Sequence, residues 1–256
     1  MTKFNGNVFV KYHSDLNKVI FNDFKAVELN LFFAICSLLK HCGSERMILE
    51  ISEIKKIANY TSRSKKRFEP DFTNTIKKAK SLNFSVYSEF ESKQLSMFND
   101  DKTMIDFEGK KLSIALNPDF VYLLNNFDEN SICFSMSDFT NLKSIYSKHL
   151  YRLFTEYQDE GTYTFSIEAF REFLDINSKY PHMKDIDRRI LCMIKKELNQ
   201  FYQYFQYKKV LEMPQRVIEI EFIFIADLPL ILLALQLVPQ PFFEDLVDSH
   251  ISLIGV

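Results

Sequence analysis

The sequence predicts a helix-rich α+β fold made of two halves that repeat the same order of elements. Three observations carry this. Apolar residues recur at helical spacing in both halves, and each helical run is followed by strand-like alternation. Glycine is scarce, with 5 residues in 256, so glycine-rich loops and repeated tight turns cannot dominate the fold. A hydrophobic fraction of 46%, including 15% aromatic residues, supplies core for one large or two small domains.

In the first half, residues 1–25 pair strand-like or wrap the first domain, anchored by Phe9, Val10, Val19, Ile20 and Phe21. A helix over residues 26–40 packs Leu29, Phe32, Phe33, Ile35, Cys36 and Leu39 inward, and Gly43 ends it. Ile48, Leu49 and Ile51 form a short strand. Ser52 caps a short helix carrying Ile54, Ile57 and Ala58, with Tyr60 at its end. TSRSKKRFEP is a polar, basic turn, and Pro70 or Asp71 starts a third helix with Phe72, Ile76, Ala79 and Leu82 at helical spacing. FSVYSEFES reads as a strand, and TMIDFEG and KLSIALN flank Gly109 as a hairpin. DFVYLLNNF closes this half as a short helix. Helix, short helix, helix and strands is the order of a winged helix. Asp128, Glu129, Asn130 and Ser131 form the linker, so the domains are expected at 1–127 and 132–225, with a tail over 226–256.

The second half repeats the order, without residue-level identity to the first. Its first helix carries Leu142, Ile145, Tyr146, Leu150, Leu153, Phe154 and Tyr157, and Gly161 stops it. A short helix begins at Ser166, with Glu168 close behind. Tyr180 and Pro181 break the chain. An amphipathic third helix spans 184–199. A hairpin follows: FYQYFQYKKVLE, a turn at Met213–Gln215, and RVIEIEFIF, whose Val217, Ile218, Ile220 and Phe222 alternate with Glu219 and Glu221. The tail is apolar, acidic and punctuated by Pro229, Pro239 and Pro241. It packs on the second domain or meets a partner.

The formal charge of -2 excludes a uniformly basic nucleic-acid binder but conceals two basic windows. One holds Lys55, Lys56, Arg63, Lys65, Lys66, Arg67, Lys77, Lys78 and Lys80. The other holds Lys179, Lys184, Arg188, Arg189, Lys195, Lys196, Lys208, Lys209 and Arg216. Signatures of catalysis are missing. Gly109-Lys110 lacks the glycine and hydroxyl residue of a phosphate-cradling loop. The five histidines are isolated, so no His-x-His metal pair precedes a tyrosine nucleophile, and neither G-x-S-x-G nor H-E-x-x-H occurs. The pair Asp185/Asp187 sits at a helix N-terminus, where acids favour the dipole, and Asp100/Asp101 sits in a loop. The expectation is a non-enzyme that needs no cofactor or metal. Cys36, Cys42, Cys133 and Cys192 form no C-x-x-C and read as reduced thiols of a cytoplasmic protein. The residues MTKFNGNVFVKYHSD lack the apolar stretch of a signal peptide, and residues 228–238, interrupted by Pro229, are too short to span a bilayer.

Placed on a helix at about 100° per residue, residues 184–199 separate by chemistry. Ile186, Ile190, Met193, Ile194 and Glu197 gather on one side. Lys184, Arg188 and Lys195 lie opposite, beside Cys192 and Asn199, with Arg189 and Lys196 flanking. An apolar face docked on two helices, with long donors on the other face, is the layout of a DNA recognition helix. Arg188 suits a guanine edge, because a guanidinium bonds O6 and N7 together. Lys184, Lys195 and Lys196 suit phosphates. Asp187 lies between the faces, where it can hold Arg188 or Arg189.

YSKHLYRLFTEYQDEGTYTFSIEAFREFLDI and KDIDRRILCMIKKEL strongly resemble the initiator replication proteins of iteron-type theta-replicating plasmids, most closely those of low-GC Gram-positive bacteria. The resemblance extends to VKYHSDLNKVIFNDFKAVELNLFFAICS and NPDFVYLLNN, and so covers most of residues 8–225. It implies two tandem winged-helix domains. Monomers would bind direct repeats of double-stranded DNA at the origin, and help open an AT-rich segment. They would also assemble the host replication initiator and helicase machinery. A homodimer joined through the first domain would repress the initiator's own gene. The recognition role maps onto 184–199, supported by Lys208, Lys209 and Arg216 in the wing and by Arg63, Lys65, Lys66, Arg67, Lys77 and Lys78 in the first domain. The turn EMPQR departs from the basic, glycine-containing wing of the family, and the tail after Phe224 matches none of it. A transcriptional repressor without initiator activity shares the same architecture.

Overall fold

The computed structural model describes residues 7–226 except 20, 22, 63, 88–91, 126–129, 214 and 215. Ile20, Arg63, Asp128, Glu129, Pro214, Gln215 and the tail from 227 onward therefore lie outside the described residues.

Both halves are built on one plan. In the first, α1 (Ala26–Leu39) is followed by strand β2 (Met47–Glu50), helices α2 (Ile51–Ile57) and α3 (Lys65–Lys80), and two hairpins, β3 (Asn83–Tyr87) with β4 (Ser92–Ser96) and β5 (Met104–Asp106) with β6 (Lys111–Ile114). β2 joins the second hairpin in the order β2-β6-β5. A 3₁₀ turn (Pro118–Phe120) and α4 (Tyr122–Asn125) close this half. The second half has α6 (Ile145–Glu156), β8 (Thr162–Ser166), α7 (Ile167–Phe173), a longer helix described below, and the hairpin of β9 (Tyr202–Glu212) and β10 (Arg216–Ala226). Its sheet order is β8-β10-β9. In each half the strand before the short helix pairs with the second strand of the hairpin. That shared topology makes the chain two tandem winged helices of α+β class.

Aromatic packing explains much of the local structure. Phe154 on α6 stacks on Phe224 of β10 at 4.6 Å, and Phe170 on α7 stacks on Phe222 at 6.0 Å, so alternate residues of β10 form the floor of the second core. Gly161 adopts φ +66° after α6; its carbonyl accepts from Phe224 N–H at 2.8 Å, and a Cβ there would stand 3.2 Å from Phe224 O. Ser166 caps α7, its hydroxyl accepting from Ala169 N–H at 3.1 Å, as the sequence predicts.

Several expectations need correction. Helix α3 begins at Lys65, not at Pro70 or Asp71. Phe68 is buried and lies 5.2 Å from Phe72 and 5.0 Å from Tyr60; this i, i+4 pair draws the basic "turn" into the helix and carries Pro70 inside it. Ile51 opens α2, with Glu50 rather than Ser52 at the N-cap. Ser131 is not linker: it begins strand β7 (Ser131–Ser135), which continues into α5 (Met136–Asn141). Neither element was anticipated, nor was β8.

The N-terminal strand β1 (Phe9–His13) pairs antiparallel with β7, matching Phe9 to Ser135 and His13 to Ser131. The segment thus joins the two halves. The buried Arg152 of α6 locks the joint: its Nη2 donates to Leu16 O at 2.8 Å and its Nε to the Tyr12 hydroxyl at 3.2 Å. The guanidinium also lies 4.6 Å from the Phe21 ring centroid and 4.9 Å from that of Phe33. Asn17 Nδ2 returns to α6, donating to Arg152 O at 3.2 Å and to Glu156 Oε2 at 2.7 Å. Replacing Arg152 by Ala leaves buried acceptors unmet and a cavity among rings. The expected loss is about 2–4 kcal/mol, read from the urea midpoint of the full chain.

Two more buried bases line α6. Burial, reinforced by Arg152 and Lys148, pushes the His149 pKa down to about 3. Burial brings that of Lys148 down to about 7, while its Nζ donates to Phe139 O. Between pH 6.5 and 3 an unfolded chain takes up a proton that folded His149 refuses, so stability falls as pH falls, by up to ~1.4 kcal/mol per unit. Lys148 acts in a separate window, where stability rises from pH 7 towards 10.5. Urea unfolding at pH 7 and pH 5 should show wild type losing about 2 kcal/mol more than His149→Gln. Equal losses would remove His149 as the cause.

Candidate nucleic-acid interface

The third helix of the second half is set in place by Arg171, whose Nη1 and Nη2 donate to Tyr180 O at 2.6 Å and Pro181 O at 3.0 Å. It starts as α8 (Met183–Ile186), passes through a π-helical turn (Asp187–Leu191) and continues as α9 (Cys192–Leu198). In the turn Cys192 N–H donates to Asp187 O, five residues back, which admits an extra residue. The faces then repeat every fourth residue. Ile186, Ile190, Ile194 and Leu198 are all at 0% exposure, whereas Lys184, Arg188, Cys192 and Lys196 form an exposed ridge.

This changes the face read from a uniform helix. Leu191, which such a helix puts beside the basic side, is fully buried. Lys195 leaves the ridge; its Nζ donates to Gln206 Oε1 on β9 at 2.8 Å. Lys196 takes its place. Glu197 sits among the apolar residues because its carboxylate accepts from the N–H groups of Lys143 (3.3 Å) and Ser144 (3.1 Å), just ahead of α6. Asp187 holds neither Arg188 nor Arg189. It accepts from Lys209 Nζ on β9 at 2.8 Å, while Asp185 Oδ1 lies 3.2 Å from Arg188 Nη2 and 3.9 Å from Arg189 Nε.

The wing cations are also paired: Lys208 with Glu221 at 2.8 Å across the hairpin, and Arg216 with Glu168 at 3.6 Å. A bulge between Val217 and Glu219 bends the hairpin. At its tip Leu211 is 57% and Met213 91% exposed.

In the first half, Lys65, Lys66, Arg67 and Lys77 are exposed on α3, and no ion pair holds them among the described residues. Lys78 does not belong with them. Its Nζ bonds Glu28 Oε2, a carboxylate at 0% exposure, at 2.6 Å, and Asp23 O at 2.5 Å. The exposed Thr73 and Asn74 lie at helical spacing from Lys66 and Lys77. Sequence reading passed over them, although their offsets of three and four from Lys77 place them on its face. Among the described residues no group of His, Cys, Asp and Glu could hold a metal ion, and no helix is long and apolar enough to cross a membrane.

Comparison with known proteins places the chain among replication proteins. The family model "Initiator Replication protein, WH1" matches residues 9–155, and "Initiator Rep protein, WH2" matches residues 166–224. A probable replication protein Rep of Bifidobacterium longum (strain NCC 2705) is 24% identical over 193 residues, covering 75% of this chain and 64% of that relative. This chain therefore spans just under two thirds of that relative's length. Among solved structures, the Pi initiator protein in complex with iteron DNA superposes with a TM-score of 0.68 at 13% identity, covering 86% of this chain and 98% of that one. With the two family models matching 9–155 and 166–224 in order, the chain belongs to the initiator replication protein family and carries its two tandem winged-helix domains; the first match runs on through β7, α5 and nearly all of α6.

Proposed function

We propose that this protein initiates plasmid replication by binding direct repeats of double-stranded DNA as a monomer and represses its own gene as a dimer. The observation that carries the reading is the ridge Lys184–Arg188–Lys196, exposed along a helix whose opposite face is fully buried. Family membership and the likeness to an initiator described with iteron DNA support it. Arg188 reads a base edge, Lys184 and Lys196 meet phosphates, and Arg189, Lys208, Lys209 and Arg216 border the contact. On α3, Lys65, Lys66, Arg67 and Lys77 grip the backbone, with Thr73 and Asn74 facing the same duplex. Asn74 suits adenine, which offers N6 and N7 to a side-chain amide. Host replication initiator and helicase proteins act on the resulting complex.

The test is replication itself. An origin-less plasmid carrying the gene with its flanking DNA should replicate in a permissive host; operator binding without replication would leave a repressor only. In gel shifts the protein should bind that flanking DNA far more tightly than a scrambled duplex, with affinity falling steeply as salt rises. Arg188→Ala should cost roughly 1–3 kcal/mol on the repeat and relax the choice at one base pair. Lys196→Ala should weaken binding to all sequences and lower the salt slope by about 1, whereas Lys195→Ala should change the slope little. The reverse order would return Lys195 to the DNA-facing ridge.

A further inference from the structure

The cations of the two halves stand in different electrostatic settings. On α3, Lys65, Lys66, Arg67 and Lys77 point to solvent without a carboxylate partner among the described residues. On the second half, five basic side chains of the recognition helix and wing each face a carboxylate of their own surface. Arg188 and Arg189 share Asp185, Lys209 has Asp187, Lys208 has Glu221 and Arg216 has Glu168. Exposed ion pairs of this kind contribute little to stability. Their placement matters more than their strength, because they occupy the surface that would otherwise attract any phosphate.

We propose that Asp185 and Asp187 are specificity-determining residues that hold Arg188, Arg189 and Lys209 off non-cognate phosphates, leaving sequence-independent grip to α3 and to Lys184 and Lys196, which face no carboxylate among the described residues. The inference rests on the DNA-binding reading of the same surface. A free lysine gains from a phosphate because condensed counterions leave the DNA. A cation already neutralised by its own carboxylate must give up that partner first, and the carboxylate is then pressed against DNA of like charge. On random duplex the exchange gains almost nothing. At the correct sequence, bonds from Arg188 to a base edge and the fit of the ridge in the groove offset the lost pair. Asp187 also ties wing to helix through Lys209, so the barrier covers both contact elements. Specificity here is built by penalising the wrong partner as well as by rewarding the right one.

The experiment compares wild type, Asp185→Asn/Asp187→Asn, and the control Asp159→Asn/Glu160→Gln. The control makes the same charge change at exposed residues with no ion pair among the described residues, at the end of the sheet away from the wing tip. Each full-length protein, with its fold checked by circular dichroism and melting, is titrated against a duplex from its own gene's flanking repeats and against a scrambled duplex, over a range of salt. Freeing Arg188, Arg189 and Lys209 should tighten binding to scrambled duplex about tenfold or more and steepen its salt slope by about two to three. Affinity for the repeats should change by less than about threefold, so discrimination falls. Equal tightening on both duplexes, or tightening by the control to the same degree, overturns the proposal. If wild type does not prefer the repeats at all, the functional reading fails. The carboxylate role is then decided on scrambled duplex alone, where the slope of Asp185→Asn/Asp187→Asn must exceed that of the control.

Discussion

A single buried guanidinium ties α6 to the N-terminal segment. Arg152 stands on α6, and its hydrogen bonds and ring contacts go to Tyr12, Leu16, Phe21 and Phe33, more than a hundred residues earlier in the chain. An ion removed from water is costly unless every donor finds an acceptor or an aromatic face. The surrounding segment is arranged to meet that demand. The N-terminal strand brings Tyr12, the turn after it brings Leu16 O, and Asn17 ties back to Glu156 of α6. Burial keeps Tyr12 protonated, its pKa pushed up to about 12 even beside the guanidinium. The way α6 packs on the N-terminal segment is therefore set by a short polar network within an aromatic core, which tolerates few alternative geometries.

The helix over residues 183–198 has a comparable local constraint. A uniform α-helix drifts away from a four-residue repeat, so a helix with Ile186, Ile190, Ile194 and Leu198 on one line would rotate its far end out of the core. One π turn cancels the drift. It keeps the apolar line against α6 and the sheet, and it straightens the exposed ridge. The buried positions were written in the sequence as isoleucines and a leucine at intervals of four. A uniform turn of about 100° per residue leaves out the π turn, and so exchanges the positions of Lys195 and Lys196 about the ridge.

The larger plan was legible because it rests on periodicity and punctuation. Three helices per half, the Gly109 hairpin, the Ser166 cap and the long C-terminal hairpin all follow from local signals. Elements whose reason for existing is distant were not legible. SICFS is a strand because VFVKYH lies beside it, more than a hundred residues earlier in the chain, and TYTFS is one because β10 accepts it. For the candidate interface, sequence located the cations but not their counter-charges. Asp187 meets Lys209 only when the hairpin folds onto the helix, and Lys78 meets Glu28 only when α3 packs on α1. Opposite charges far apart in sequence carry no local trace of their pairing.

The pairing of β1 with β7 also governs the order in which the molecule can be completed. During synthesis the strand holding Val10 and Tyr12 leaves the ribosome first, but its partner Ile132–Phe134 follows only after the whole first winged helix has emerged. Closing so long a loop is entropically demanding, and until then the early strand keeps an open edge and uncovered apolar side chains. The N-terminal strand is thus completed by a segment made more than a hundred residues later. A fragment cut between β1 and α6 would separate a strand from its sheet and Arg152 from its acceptors, so a truncation there would report on a broken joint as much as on a missing segment.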